Sequence, residues 1–296
     1  MTKQSSNSLP PMAPMTADEA ERAIRNSVFA NPGVEVQSLH KSIPVASIPL
    51  PSRGLVYAAE SNLAGKDTID IKHMTPRDED ILLNKAYSRK GTTISELVKS
   101  CVADKSIDTS QLLVGDRTAI LIGIRATGYG SDYKVKVTCP QCELQTDVTI
   151  NLAELGTKDL DLNAVQQVAP GENKFLFTLP RSGKTVTFKF LTGAEADTLF
   201  AKWRDELRQK KQPAMITDRL HKQIIAVDGD SSTFTISDFV ETMHGADSLA
   251  LRGHVDDTEP GVDLTHPFVC DNAECEHKEV LGFSLDEHFF YPNLKR

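Results

Sequence analysis

The sequence predicts an α+β fold made of two pseudo-repeated modules of short strands and helices, preceded by an extended N-terminal arm. Three observations carry this reading. A Pro and Gly turn followed by an alternating strand occurs twice, at Leu50-Pro51-Ser52-Arg53-Gly54 and at Leu179-Pro180-Arg181-Ser182-Gly183. A strand-to-helix junction lines up without a gap, Met74-Thr75-Pro76-Arg77-Asp78 against Leu191-Thr192-Gly193-Ala194-Glu195. Asp116 precedes Cys139 by the same 23 residues that separate Asp247 from Cys270. Offsets repeated in a fixed order are the signature of a duplicated unit. The expected organisation is an arm with a short helix over 1–40, a first module over 41–160 and a second over 161–296.

Each element follows from local chemistry. Residues 1–15 lack periodicity, and Leu9-Pro10-Pro11 with Pro14 opposes any regular element, so a disordered arm is expected there. Thr16-Ala17-Asp18-Glu19 matches a capping box, which predicts a short helix to about Ser27, stopped before Asn31-Pro32-Gly33. After the first turn, Ile69 and Ile71 alternate and Lys72 follows; after the second, Val186 and Phe188 alternate and Lys189 follows. Thr75 and Thr192 then stand as N-caps, each with an acid three residues on, Asp78 or Glu195, that suits the positive end of the helix dipole. A mostly polar helical middle is expected through Glu96-Leu97-Val98 to Asp104, and through Trp203 to Val227. A short apolar helix follows in each half, Ala119 to Ile124 and Leu249 to Leu251, then a Gly-rich or Pro-Gly break, then a strand running into a cysteine. Val135 and Val137 alternate before the first cysteine pair, and Val148 and Ile150 after it, which places that pair at a hairpin tip. Ile150 and Leu152 fall eight and ten residues beyond Cys142, as Phe283 and Leu285 do beyond Cys275.

Composition bounds the function. The chain has 296 residues, 40% apolar and 25% charged, enough for two ordinary domains or one large one. A formal charge of −8 argues against broad charge-driven binding to nucleic acid or to an anionic membrane, because phosphate contact needs clustered Lys and Arg. No run approaches the roughly 20 apolar residues of a membrane span, and Met1 to Pro14 carries no apolar signal core, so a soluble protein that stays where it is made is expected. Five cysteines in such a chain suggest a reducing compartment, where paired thiols bind metal more often than they form disulfides.

The chemistry sits in Cys139-Pro140-Gln141-Cys142 and Cys270-Asp271-Asn272-Ala273-Glu274-Cys275. A tight turn between two cysteines aims both sulfurs at one point and fills half of a tetrahedral zinc shell, so two such knuckles complete one site. Each module is therefore expected to end in a zinc-knuckle hairpin, with Cys139, Cys142, Cys270 and Cys275 holding one structural Zn2+ per chain. The duplication accounts for the gap of 127 residues between Cys142 and Cys270, since equivalent ends of similar modules can meet across a pseudo-twofold axis. Four thiolates leave no position for water, which makes the metal structural and worth on the order of 10 kcal/mol to folding. The second pair has the looser spacing, and the flanking His266 and His277 are alternative ligands for one thiolate position. Cys101, beside Leu97 and Val98 on an apolar helical face, reads as a core thiol.

Other motifs read as ordinary structure. Ser182-Gly183-Lys184-Thr185 imitates the end of a phosphate-binding loop, but the leading glycine is Thr178, so a hairpin turn is expected. Gly128-Tyr129-Gly130 reads as a helix-to-strand turn, and Asp78, Glu79 and Asp80 as a solvated first helical turn. No Ser, His and Asp set has a nucleophile elbow, and no catalytic residue, small-molecule substrate or cofactor beyond zinc is expected.

The run Ile48-Pro49-Leu50-Pro51-Ser52-Arg53-Gly54-Leu55-Val56-Tyr57, then Met74-Thr75-Pro76 with Asp78-Glu79-Asp80-Ile81-Leu82, Leu113-Val114-Gly115-Asp116-Arg117, Arg125, Gly128-Tyr129-Gly130 and Thr138-Cys139-Pro140-Gln141-Cys142 resembles the baseplate hub protein family of T-even-like contractile-tailed bacteriophages. The resemblance covers about residues 44–160. It implies a structural or assembly protein of the tail baseplate hub, not an enzyme. Its partners would be other baseplate and tail proteins, and its place the virion tail, assembled in the host bacterial cytoplasm. The alternative is a zinc-ribbon nucleic-acid-binding or transcription-associated protein, disfavoured by net acidity and by few aromatics near the cysteines. A metalloenzyme would need an open ligand position.

Overall fold

The computed structural model describes residues 45–285 and 287–290. The expected arm and its short helix, residues 1–40, lie outside the described residues. Mixed helix and strand content makes the fold α+β.

Strand β1 (Val45–Pro49) pairs antiparallel with β2 (Thr68–Lys72), Ile48 opposite Ile69. Between them the Leu50-to-Gly54 turn is buried at Leu50 and Ser52. Gly54 is required there: its φ is +69°, and a Cβ would stand 2.3 Å from the Lys66 amide. Three helices follow, α1 (Pro76–Leu83), α2 (Lys85–Lys90) and α3 (Thr93–Cys101), and then the central helix α4 (Val114–Tyr129). Strands β3 (Asp132–Thr138) and β4 (Gln145–Asn151) form the first hairpin.

The short strands β5 (Thr157–Lys158) and β6 (Gln166–Gln167) lead to β7 (Phe175–Thr178) and β8 (Thr185–Phe188). Residues 179–184 make the turn between β7 and β8, with Leu179 N–H donating to Lys184 O at 2.8 Å and Gly183 at φ +70°. Helices α5 (Gly193–Arg208) and α6 (Met215–Gln223) precede β9 (Ile224–Val227). Helices α7 (Thr233–Thr242) and α8 (Gly245–Thr258) precede β10 (Gly261–Val262) and the last hairpin, β11 (Thr265–Val269) with β12 (Lys278–Gly282). The largest sheet is antiparallel, in the order β6-β7-β8-β9.

Three expectations are corrected, the first being the solvated turn at Asp78, which is instead buried at 6% exposure and accepts from Ser100 Oγ at 2.5 Å. The stretch from Trp203 to Val227 is not helical throughout: it breaks after Arg208, and Ile224-Ile225-Ala226-Val227 is strand β9, paired with β8. An apolar, mostly β-branched run gains more by completing a sheet than by extending a helix. The apolar helices are also longer than the cores read for them, 16 residues in α4 and 14 in α8, because Gly123 and Gly128 are carried inside α4. Gly123 has a packing reason, since a Cβ there would lie 2.4 Å from Ile48 Cδ1.

Helix α4 is buried along nearly its whole length and packs against β1, β2 and β10, so its run Ala119-Ile120-Leu121-Ile122 faces core on every side. One cluster of buried side chains spans both halves of the chain, from Leu50 through Ile120 and Phe188 to Phe290. Gly115 admits the Pro260 carbonyl, where a Cβ would come within 1.9 Å. Arg117 ties α4 to α5, donating to Asp197 and to Gly193 O, each at 2.8 Å.

Corresponding residues of the two sequence halves make corresponding contacts. Thr75 N–H donates to Asp78 at 2.8 Å and Thr192 N–H to Glu195 at 3.1 Å, closing a capping box in each half. Asp116 and Asp247, both fully buried, are each the third residue of their helix. Asp116 accepts from Ser52 N at 2.9 Å and from Ser52 Oγ at 2.6 Å; Asp247 accepts from Arg181 N at 2.7 Å and Ser182 N at 3.0 Å. Each carboxylate thus fastens the Pro and Gly turn of its own half to a helix N-terminus. Burial raises the Asp116 carboxyl above the usual carboxylate range, against the bonds from Ser52 and Tyr57. Burial also pushes Asp247 upward, but the amides of Arg181 and Ser182 prevail and hold it low.

Candidate metal centre

A two-residue hairpin would leave a strand pair featureless at its tip; here the tips carry the cysteines. In β3–β4 the register places Val135 opposite Val148 and Val137 opposite Thr146, so Val137 and Val148 face inward. In β11–β12, Phe268 and Leu281 do the same. Those four side chains pack together beneath Cys139, Cys142, Cys270 and Cys275 as a small cluster separate from the main core, with Phe268 only 2% exposed.

The four Sγ atoms lie within 4.8 Å of one another. Cys139 Sγ is 3.8 Å from Cys275 Sγ, and Cys142 Sγ is 3.5 Å from Cys270 Sγ. Ligands at about 2.3 Å in a tetrahedral zinc shell stand about 3.75 Å apart, so this donor set fits the ion. Neither His266 nor His277 is in the cluster.

The two knuckles share one backbone design despite their different lengths. Cys139 N–H donates to Leu144 O at 2.9 Å, and Cys270 N–H to His277 O at 3.0 Å. The residue after the second cysteine is left-handed in both, Glu143 at φ +59° and Glu276 at φ +50°. This turn directs amides at sulfur: Leu144 to Cys142, His277 to Cys275, Asn272 to Cys270, and both Gln141 and Cys142 to Cys139. Sequence reading placed the cysteines but not these amides, nor the inward role of Phe268. The alternation of Phe268 with Val269 was the available signal for the latter.

The electrostatics follow. The Leu144 amide is the largest influence on Cys142 and draws its thiol down to about 7. Burial raises Cys139, but the Cys142 and Gln141 amides outweigh it and the thiol is lowered. The Asn272 amide favours the Cys270 thiolate, yet burial and the neighbouring sulfurs prevail and push it up to about 12. Burial, then the first knuckle's sulfurs, raise Cys275. Thiolates this close repel one another, so all four ionise together only around a cation. Cys101, at the end of α3, stands apart from this group and is buried, which pushes its thiol up to about 12.

No helix among the described residues is long and apolar enough to cross a membrane. No curated protein and no solved structure matches the sequence. A family model described as T4 bacteriophage base plate protein matches residues 56–290.

Proposed function

Because the chain belongs to the T4 bacteriophage base plate protein family, we propose that it is a structural or assembly component of the contractile-tail baseplate hub, acting through contacts with other baseplate and tail proteins. It is built around one structural Zn2+ held by Cys139, Cys142, Cys270 and Cys275. The observation that carries the zinc assignment is the convergence of four sulfurs from two distant hairpins to within 4.8 Å. Four protein thiolates close the shell, leaving no site for a water nucleophile, so the chain is no enzyme at this metal. The metal fixes the angle between the two hairpins, and hence the surfaces offered to neighbours in the virion tail.

We also infer that the chain is two pseudo-repeated modules, 41–160 and 161–296, each ending in a zinc-knuckle hairpin. The paired capping boxes, the paired Asp116 and Asp247 fastenings and the matched left-handed Glu143 and Glu276 support it.

Metal analysis of the purified chain tests the site. One zinc per chain is expected, lost in both Cys139→Ser and Cys270→Ser; two metals per chain, or loss in only one variant, refutes the shared site. Mass analysis of purified tails tests the location.

A further inference from the structure

A second face of the molecule is built for contact, and it lies away from the cysteines. Leu199 and Trp203 of α5, with Leu191, form a small apolar cluster apart from the main core. That cluster floors a groove of about 400 Å³ between α5 and α6. Its walls are Phe200, 62% exposed, and Met215 and Ile216, about half-exposed. An apolar floor with exposed apolar walls is a core lacking its cover. Arg219 and Arg252 close one end. Arg219 is held by Asp256 and Glu259, at 3.4 and 3.5 Å, whereas Arg252 takes part in none of the ion pairs among the described residues.

The same chain carries the complement. Phe234, in the first turn of α7, is 82% exposed, the most exposed of the large apolar side chains described. Asp238 and Glu241 follow it at i+4 and i+7, both exposed, so one ridge of α7 presents an aromatic ring and then two carboxylates. Neither carboxylate makes an ion pair among the described residues. Phe234 does not line the groove of its own chain.

We propose that the α5–α6 groove receives Phe234 from a second copy of this chain, with Asp238 of that copy, one helical turn from the ring, meeting Arg252. The ring supplies the apolar anchor, and Arg252 is the cation with no carboxylate of its own. Two copies can exchange ridge and groove reciprocally across a twofold axis, and a contact that does not close in pairs builds a ring or a file of copies. One aromatic anchor with a salt bridge makes a weak contact, with a dissociation constant on the order of 100 μM.

Sedimentation equilibrium of the full chain at low salt, from about 10 μM to 1 mM, tests this. Association rising with concentration is expected, weakened about tenfold or more by Phe234→Ser or by Arg252→Glu. The double variant Asp238→Arg with Arg252→Glu restores it by reversing both charges. Phe234 is exposed, so unchanged thermal melting in Phe234→Ser separates lost association from lost folding. A chain that stays monomeric throughout, or variants that associate as the wild type does, overturn the proposal. A double variant no tighter than Arg252→Glu alone overturns it too.

Discussion

Withdrawing the metal should unfasten the two hairpin tips and leave the rest of the molecule folded. The loops from Cys139 to Leu144 and from Cys270 to His277 hold six and eight residues, fourteen in all, and ordering each costs about 1 kcal/mol or more, so roughly 14 kcal/mol opposes the tips. Against this stands the small cluster beneath them. Phe268 contributes about 3 kcal/mol, and the partly buried Val137, Val148 and Leu281 about 1 kcal/mol each. That sum falls short by about 8 kcal/mol, and a structural zinc site, at about 10 kcal/mol or more, covers the difference. The main cluster around α4 contains none of the four knuckle cysteines and should persist. Hydrogen exchange followed by mass spectrometry, on the loaded chain and on chain stripped with a chelator, reads this directly. Peptides over 132–151 and 265–282 should lose most of their protection, while those over 114–129 and 175–190 keep theirs. If the stripped tips exchanged within about tenfold of the loaded ones, the energetic argument would be wrong. If α4 lost protection together with the tips, the separation into two cores would be wrong.

Three further outcomes are expected. Zinc should be retained at pH 8 and released on acidification to about pH 5, because the metal binds thiolates and protons compete for them; a chromogenic chelator measures the release, and retention unchanged down to pH 4 would argue against sulfur ligation. Gly115→Ala should destabilise the chain by about 3 kcal/mol in chemical denaturation, since its Cβ would stand 1.9 Å from the Pro260 carbonyl oxygen and helix α4 cannot move without disturbing β1, β2 and β10. Burial raises the Asp78 carboxyl, but the bonds from Ser100 and Thr75 outweigh it and hold it below its ordinary range. Its contribution is therefore present above the unfolded pKa and lost as pH falls through the folded one, so Asp78→Asn should cost about 1 kcal/mol near pH 7 and nearly nothing near pH 2.

Much of the architecture was legible because it is local. Thr75 with Asp78 and Thr192 with Glu195 announce helix starts three residues apart, and the alternation around Val135 and Val148 announces a hairpin. Strand β9 was not legible, since Ile224 follows a helical stretch directly and becomes a strand only because β8 offers it an edge. Asp116 and Asp247 were visible as landmarks of equal spacing, but their task was not: the turns they fasten are 64 and 65 residues or more away in the chain. At the cysteines, residue type and spacing identified the sulfurs. The left-handed Glu143 and Glu276 escaped notice because glycine is the usual mark of that conformation.

The distance along the chain between the two knuckles also sets a timetable. With 127 residues between Cys142 and Cys270, a ribosome adding about 5–20 residues per second leaves the first pair of sulfurs waiting roughly 6 to 25 seconds for its mates. With a zinc shell shared as proposed, the nascent polypeptide would own only half of it during that interval and could not hold the ion firmly. Capture of the ion would then certify that synthesis has passed the last cysteine, and a chain abandoned early would never acquire the clasp of a finished one.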